Sequence, residues 1–197
     1  MSVALFATAY FPTVEYFLWL IHFDKIFIEA FEHFNKQTNR NRTHILSPNG
    51  VQVLSIPLVQ THRKVFIKEV DIDLNANWKQ QHWRSITTAY NRSAFFEFYS
   101  DKIQKVFFQD EKNLLKFNTK LLTLLLEIYK LKTKIEFSEE YRKEPENDFR
   151  LISEQKYTVP CTEVKFKEYP QVFSEKFAFE KNLSVLDMLF NCGNNRL

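Results

Sequence analysis

Glycine is nearly absent: Gly50 and Gly193 are the only two in 197 residues, where average usage of ~7% would give about 14. Loops that cradle phosphate on bare backbone, the GxGxxG turn and the Walker loop, need several glycines in close order. Both are excluded, so no Gly-rich nucleotide motif is present. Cysteine is equally scarce, with Cys161 and Cys192 alone. These two make no disulfide framework and share no metal-ligand spacing with His22, His33, His44, His62 and His82, which themselves form no HxxxH or HxH pattern. No metal motif is read, and the cofactor is left unassigned. Cys161 after Pro160 is the better of two poor candidates for a reactive thiol, and no Gly-x-Ser-x-Gly elbow exists.

Long apolar runs are missing too. The longest candidate, Val14 to Phe23, is interrupted by Glu15 and His22 and falls short of the roughly 18 residues that cross a bilayer. The opening Val3 to Ala9 ends in an Ala-x-Ala pattern without basic residues before it, and reads as a first strand, not a signal peptide. Together with the low cysteine content this predicts a cytoplasmic protein with no membrane span. The formal charge of +3 is too mild to indicate a nucleic-acid partner, and none is expected.

What is abundant is phenylalanine, 21 residues, within an aromatic share of 16%; the core should be built largely from rings. The length fits one domain over 1–197, with an acid-rich loop or linker at about 139–150 that holds Glu139, Glu140, Glu144, Glu146 and Asp148 around Pro145.

The pattern predicts an α+β fold: a mixed sheet with a β-hairpin, packed against several helices. Pro12 suits the first turn of a helix running to Phe23. Lys25 to Ala30 reads as a strand. Thr43 to Pro48 and Val51 to Pro57 read as a hairpin closed by a primed turn at Asn49-Gly50. Lys64 to Leu74 is a further strand region. A helix from Trp78 to Asn91 is capped by Asn75 or Asn77, with Trp83 facing the core and Trp78, His82, Ser85 and Ala89 on an adjacent stripe. Asn113 to Leu131 is the strongest helix, Lys134 to Phe137 a short edge strand, and Ser184 to Phe190 a helix ending near Gly193.

Two constellations carry chemistry. Asn35 to Arg42 is eight polar residues with three cations and no acid. Lys36, Arg40 and Arg42 there can bind an anion, Arg through a two-pronged fork and Lys as a point charge, with Asn41 among them. A solvated loop is the plainer reading, and pairing with Glu29 or Glu32 would serve structure. On the Trp78 stripe, His82 sits one turn from a tryptophan, where burial can hold an imidazole neutral as a general base. Glu15, Asp24, Glu29 and Glu32 are read as surface charges.

Several segments in order resemble the WbqC-like protein family, especially its Bacteroidota branch: Thr8-Ala9-Tyr10-Phe11-Pro12, Glu15-Tyr16-Phe17, Lys36-Gln37-Thr38, Arg40-Asn41-Arg42, Asn49-Gly50, Leu54-Ser55-Ile56-Pro57, Asn77-Trp78, His82-Trp83, Ala89-Tyr90-Asn91, Phe95 to Tyr99, Asn182-Leu183-Ser184, Leu186-Asp187 and Leu189-Phe190-Asn191. The family pattern opens with His-Gln-Pro where this chain has Phe6-Ala7-Thr8-Ala9. The resemblance implies a bacterial cytosolic protein, with a family name taken from a surface-polysaccharide (O-antigen) locus, and it gathers Tyr10, Lys36, Asn41, Arg42, Trp78 and His82 as one site.

On this reading the protein is an enzyme or enzyme-like binder of a small anionic metabolite, in the transferase or hydrolase class. Lys36 and Arg42 hold the anion, Asn41 and Tyr10 orient it, Trp78 packs on it, and His82 is the acid/base group, with Lys36 a further catalytic candidate. A non-catalytic scaffold that associates with polysaccharide biosynthesis enzymes is the second reading. A single-stranded nucleic-acid binder using the Lys36 to Arg42 loop is the third.

Overall fold

The computed structural model describes residues 2–60, 64–154 and 167–195; His62, Pro160 and Cys161 lie outside them. The chain enters as β1 (Val3–Phe6), crosses through α1 (Val14–Leu20) and returns as β2 (Lys25–Ile28), parallel to β1. A parallel return requires such a crossover. β5 (Lys134–Phe137) pairs with the other side of β2, also parallel, giving the order β1-β2-β5. Between β2 and β5 lie an antiparallel hairpin, β3 (Arg42–Ser47) and β4 (Gly50–Ser55), and three helices, α2 (Trp78–Tyr90), α3 (Phe96–Phe107) and α4 (Leu114–Ile128). α5 (Val185–Cys192) follows, capped by the Ser184 hydroxyl and stopped at Gly193, whose φ is +73°. The expected α+β architecture is present, with β5 on the sheet edge as anticipated.

The rings form the core. Phe6, Phe11, Phe17, Phe107, Phe117, Phe190, Tyr10, Tyr16 and Tyr90 are all fully buried. Trp78 meets Phe107 and Phe117 edge-on, each at 5.6 Å between centroids, the geometry that ring quadrupoles favour.

Local chemistry shifts several expected boundaries. α1 starts after Pro12, because the Thr13 hydroxyl accepts from the Tyr16 N–H and makes Thr13 the cap. The last expected turn, to Phe23, closes by tighter bonds instead, His22 N to Trp19 O and Phe23 N to Leu20 O.

The hairpin turn is Pro48-Asn49, since Ser47 pairs directly with Gly50. Proline at the first central position locks φ negative, so a primed turn cannot form there. Gly50 takes the positive φ, +101°, just after the turn.

Lys64 to Leu74 is not a strand. Its described backbone makes isolated bridges around a 3-10 turn at Ile67–Glu69. The apolar positions change phase between Ile67 and Val70, and a two-residue repeat cannot bury both Ile67 and Ile72 across that break.

α3 is an element that the sequence reading leaves unassigned. Phe96, Tyr99, Ile103, Val106 and Phe107 carry a helical repeat, but Phe98, 71% exposed, fills a solvent position with a ring and blurs it.

The acid-rich stretch is tied to β1: Asn147 O accepts from Leu5 N at 2.8 Å, and Phe149 N donates to Leu5 O at 2.7 Å.

Candidate functional site

The polar run from Asn35 to Arg42 divides in two. Lys36 and Gln37 are exposed, with Gln37 at φ +62°, whereas Thr38, Asn39, Arg40 and Asn41 are buried. Buried backbone must find partners, and here it does. Tyr10 N donates to Asn39 O at 2.9 Å, Asn39 N to Ser153 O at 2.7 Å, and the α4 side chain Asn118 donates to Arg40 O at 2.8 Å. A solvated loop is therefore the wrong description of Thr38 to Asn41. Their fixed backbone delivers Arg42 to the start of β3.

The two arginines of this segment meet different fates. Arg40 is 3% exposed; its Nε and Nη2 donate to the two oxygens of Glu32 at 2.7 and 2.8 Å, and Nη1 donates to Glu154 at 2.6 Å. Burial alone would lower its pKa, but these carboxylates raise it above the ordinary value. Arg42 has no carboxylate within salt-bridge distance among the described residues, and neither does Lys36. The Nε of Arg42 is buried with no hydrogen-bond partner there. Burial first, and then the Arg42 charge, hold the His44 imidazole below its ordinary range.

Lys36, Gln37, Asn41 and Arg42 line one hollow of about 530 Å³, over an apolar floor that includes Phe34, Ile56, Leu58 and Val70. Asn41 is 8% exposed and fixed on both sides: its Nδ2 donates to Ile56 O at 3.0 Å, and its own carbonyl accepts from Ile56 N at 2.8 Å. That leaves Oδ1 buried without a partner among the described residues. An unfilled donor and an unfilled acceptor thus flank the hollow, a situation that native interiors normally avoid.

Tyr10, Trp78 and His82 do not line this hollow. They are 0%, 4% and 6% exposed and pack in the ring core, with the Tyr10 hydroxyl 2.9 Å from His82 Nδ1. Burial pushes the imidazole down to about 4, a backbone hydrogen bond to Ser55 opposing it only in part. It also pushes the Tyr10 phenol well up, so Tyr10 keeps its proton and donates to a neutral ring. Trp78 is the deeper tryptophan of α2, and Trp83 is only half-buried, the reverse of the expected order. The six expected site residues therefore form two groups, three at the hollow and three beneath it. One connection joins them: His82 contacts Ser55, which pairs with Arg42 across the hairpin and precedes the floor residue Ile56.

Sequence reasoning missed the buried acids. Glu15, Glu29 and Glu32 are 3%, 0% and 9% exposed, not surface charges; Asp24 alone of the four is exposed. Asn182 donates to Glu15 at 2.8 Å, Ser138 to Glu29 at 2.6 Å, and Arg40 grips Glu32. Each partner but Arg40 is more than 100 residues away, so no local signal announces it. Phe11, next to Tyr10, sits at φ +41° while fully buried, a conformation costing on the order of 1–3 kcal/mol. Hydroxyls of Thr43 and Ser184 hold its carbonyl at 2.9 and 3.2 Å. Among the described residues no three metal-ligating side chains gather, and no helix is long and apolar enough to cross a membrane.

These features define an α+β domain in which a cationic hollow is built against a ring-filled core. A model of the WbqC-like protein family matches residues 8–159 and 150–197, and the chain belongs to that family. It is 24% identical to the Mycobacterium tuberculosis protein named Uncharacterized protein Rv1507c over 98% of this chain and 94% of that one. No solved structure matches it.

Proposed function

We propose that the protein binds and acts on a small anionic metabolite carrying an apolar portion, in bacterial surface-polysaccharide (O-antigen) assembly. Lys36 and Arg42 take the anionic group, Asn41 helps to orient it as part of the wall, and the apolar body lies on the floor around Ile56. The observation that carries this reading is Arg42, a guanidinium with no carboxylate in salt-bridge distance among the described residues, beside a hollow of ligand size. A guanidinium fork matches phosphate or carboxylate, and Lys36 adds a mobile charge. The polysaccharide setting is supported by family membership alone. Lys36 is the group placed to take part in a transferase or hydrolase step, since it is the exposed amine on the rim. His82 acts as a positioning residue, holding Ser55 and hence the β4 wall.

A thermal-shift screen of anionic metabolites tests this. A ligand at about a thousandfold above its Kd should add roughly 4 kcal/mol of stability, and the shift should vanish in Lys36→Met and Arg42→Met while their unliganded melting stays near that of the parent. A full response in both variants would remove the assignment.

A further inference from the structure

The side chains around the hollow are unbalanced in charge and in hydrogen bonding. Lys36 and Arg42 line it with no aspartate or glutamate beside them, and no serine, threonine, tyrosine or histidine lines it either, among the described residues. Its other polar side chains are amides, which differ in reach. Asn41 is part of the wall, with Nδ2 on Ile56 O and Oδ1 shut off from solvent. Gln37 and Gln60 are exposed at the rim. Side-chain acceptors are therefore confined to the mouth.

The donors, by contrast, are open. Arg42 is half-buried, and its Nη1 and Nη2 make no hydrogen bond or ion pair with a described residue, yet neither is sealed from solvent as Nε is. Lys36 is exposed and equally unpaired among those residues.

Two positive charges with no acid at hand favour a dianion over a monoanion. A carboxylate has two oxygens, which the Arg42 fork would occupy, whereas a phosphate monoester has three, enough for both prongs and for the Lys36 ammonium. The scarcity of acceptors selects the rest of the ligand. A sugar or nucleoside would carry hydroxyl and amine donors past the rim to side chains that accept nothing, and a donor stripped of water and left unpaired weakens binding. A hydrocarbon chain has no donor to satisfy, and Phe34, Ile56, Leu58, Val65 and Val70 give it an apolar bed. We propose that the ligand of this hollow is an aliphatic phosphate monoester, with its dianionic head on Arg42 and Lys36 and its chain along the bed. This rests on the anion reading of the same hollow and narrows the ligand to one chemical class.

The test is an amide NMR titration of the full chain, read at Gln37 and Arg42, with ethyl, n-butyl and n-hexyl phosphate, and with inorganic phosphate, n-hexyl sulfate and glucosyl phosphate alongside. Affinity should rise about fourfold for each added methylene. Hexyl sulfate, a monoanion of similar shape, should bind on the order of tenfold more weakly than hexyl phosphate, and glucosyl phosphate no more tightly than inorganic phosphate. Val65→Thr, which adds a hydroxyl to the bed, should weaken hexyl phosphate about fivefold and leave inorganic phosphate unchanged. The proposal is overturned if chain length does not alter affinity, if the sulfate matches the phosphate, if glucosyl phosphate binds more tightly than hexyl phosphate, or if Val65→Thr takes hexyl phosphate as the parent does. In each of those cases the anion site survives as long as Arg42→Met weakens inorganic phosphate. If no phosphate moves those amides at tens of millimolar, or if Arg42→Met binds them as the parent does, the anion site itself is wrong.

Discussion

Arg40 and Arg42 stand two residues apart on one segment, yet one belongs to the wall and the other to the hollow. Arg40 is enclosed by two carboxylates, while Arg42 has none among the described residues. The same division separates Tyr10, Trp78 and His82, packed against rings, from Lys36, Asn41 and Arg42 at the rim. Residues of identical chemistry thus differ in whether the fold supplies their partners, and the proposed anion site takes the arginine that lacks a carboxylate among the described residues.

Substitutions in the wall should give the largest effects. Trp78→Ala removes a ring that Tyr10, His82, Phe107 and Phe117 all contact and should cost about 3–5 kcal/mol in chemical denaturation. Arg40→Met should cost about 3 kcal/mol or more, because Glu32 is left buried without its cation. Arg42→Met should stay within about 0.5 kcal/mol of the parent. Equal losses in the two arginine variants would erase the distinction between them.

His82 allows a finer test by pH. Its folded value of about 4 lies below the ordinary 6.5, so between these values the unfolded chain binds the proton and the native one does not. Stability from this group is complete above about pH 6.5 and falls by about 3 kcal/mol as pH drops through 4. His44, also lowered, acts in the same sense, whereas Glu15 and Asp187, both raised by burial, act in the opposite one. The measurement is therefore the difference between parent and His82→Gln in denaturation across that window. The parent should show the steeper acid loss, and identical slopes would mean that the imidazole titrates freely.

A smaller effect is expected for Tyr10→Phe. It leaves His82 Nδ1 without its donor and should cost about 1–3 kcal/mol with ligand binding retained. Loss of binding at unchanged stability would move Tyr10 into the site.

Much of the scaffold was legible in the residues. The polar and apolar stripes announced α4, Ser184 announced the start of α5 through a cap that the structure contains, partial alternation marked β2, and the Asn49-Gly50 signal marked β3 and β4 as a hairpin. The hairpin turn was misread because Gly50 drew attention from Pro48, whose ring decides the turn type. Lys36, Asn41 and Arg42 were found as a group because they lie close in sequence between two strands. Pairing with Glu32, eight residues from Arg40, was legible as an option and is present, but which cation takes it was not, since the second acid on Arg40, Glu154, is 114 residues away. The depth of His82 and Tyr10 likewise follows from the packing of α2 and α4 on the rings, which helical spacing alone does not contain.

The most direct measurement follows the side-chain Nε–H resonances of Arg42 and Arg40 during titration of the full chain with n-butyl phosphate, an anion with a short apolar tail. The account predicts that the Arg42 signal moves and saturates while the Arg40 signal, held on Glu32, stays in place. A still Arg42 signal, or equal movement of both, would contradict it.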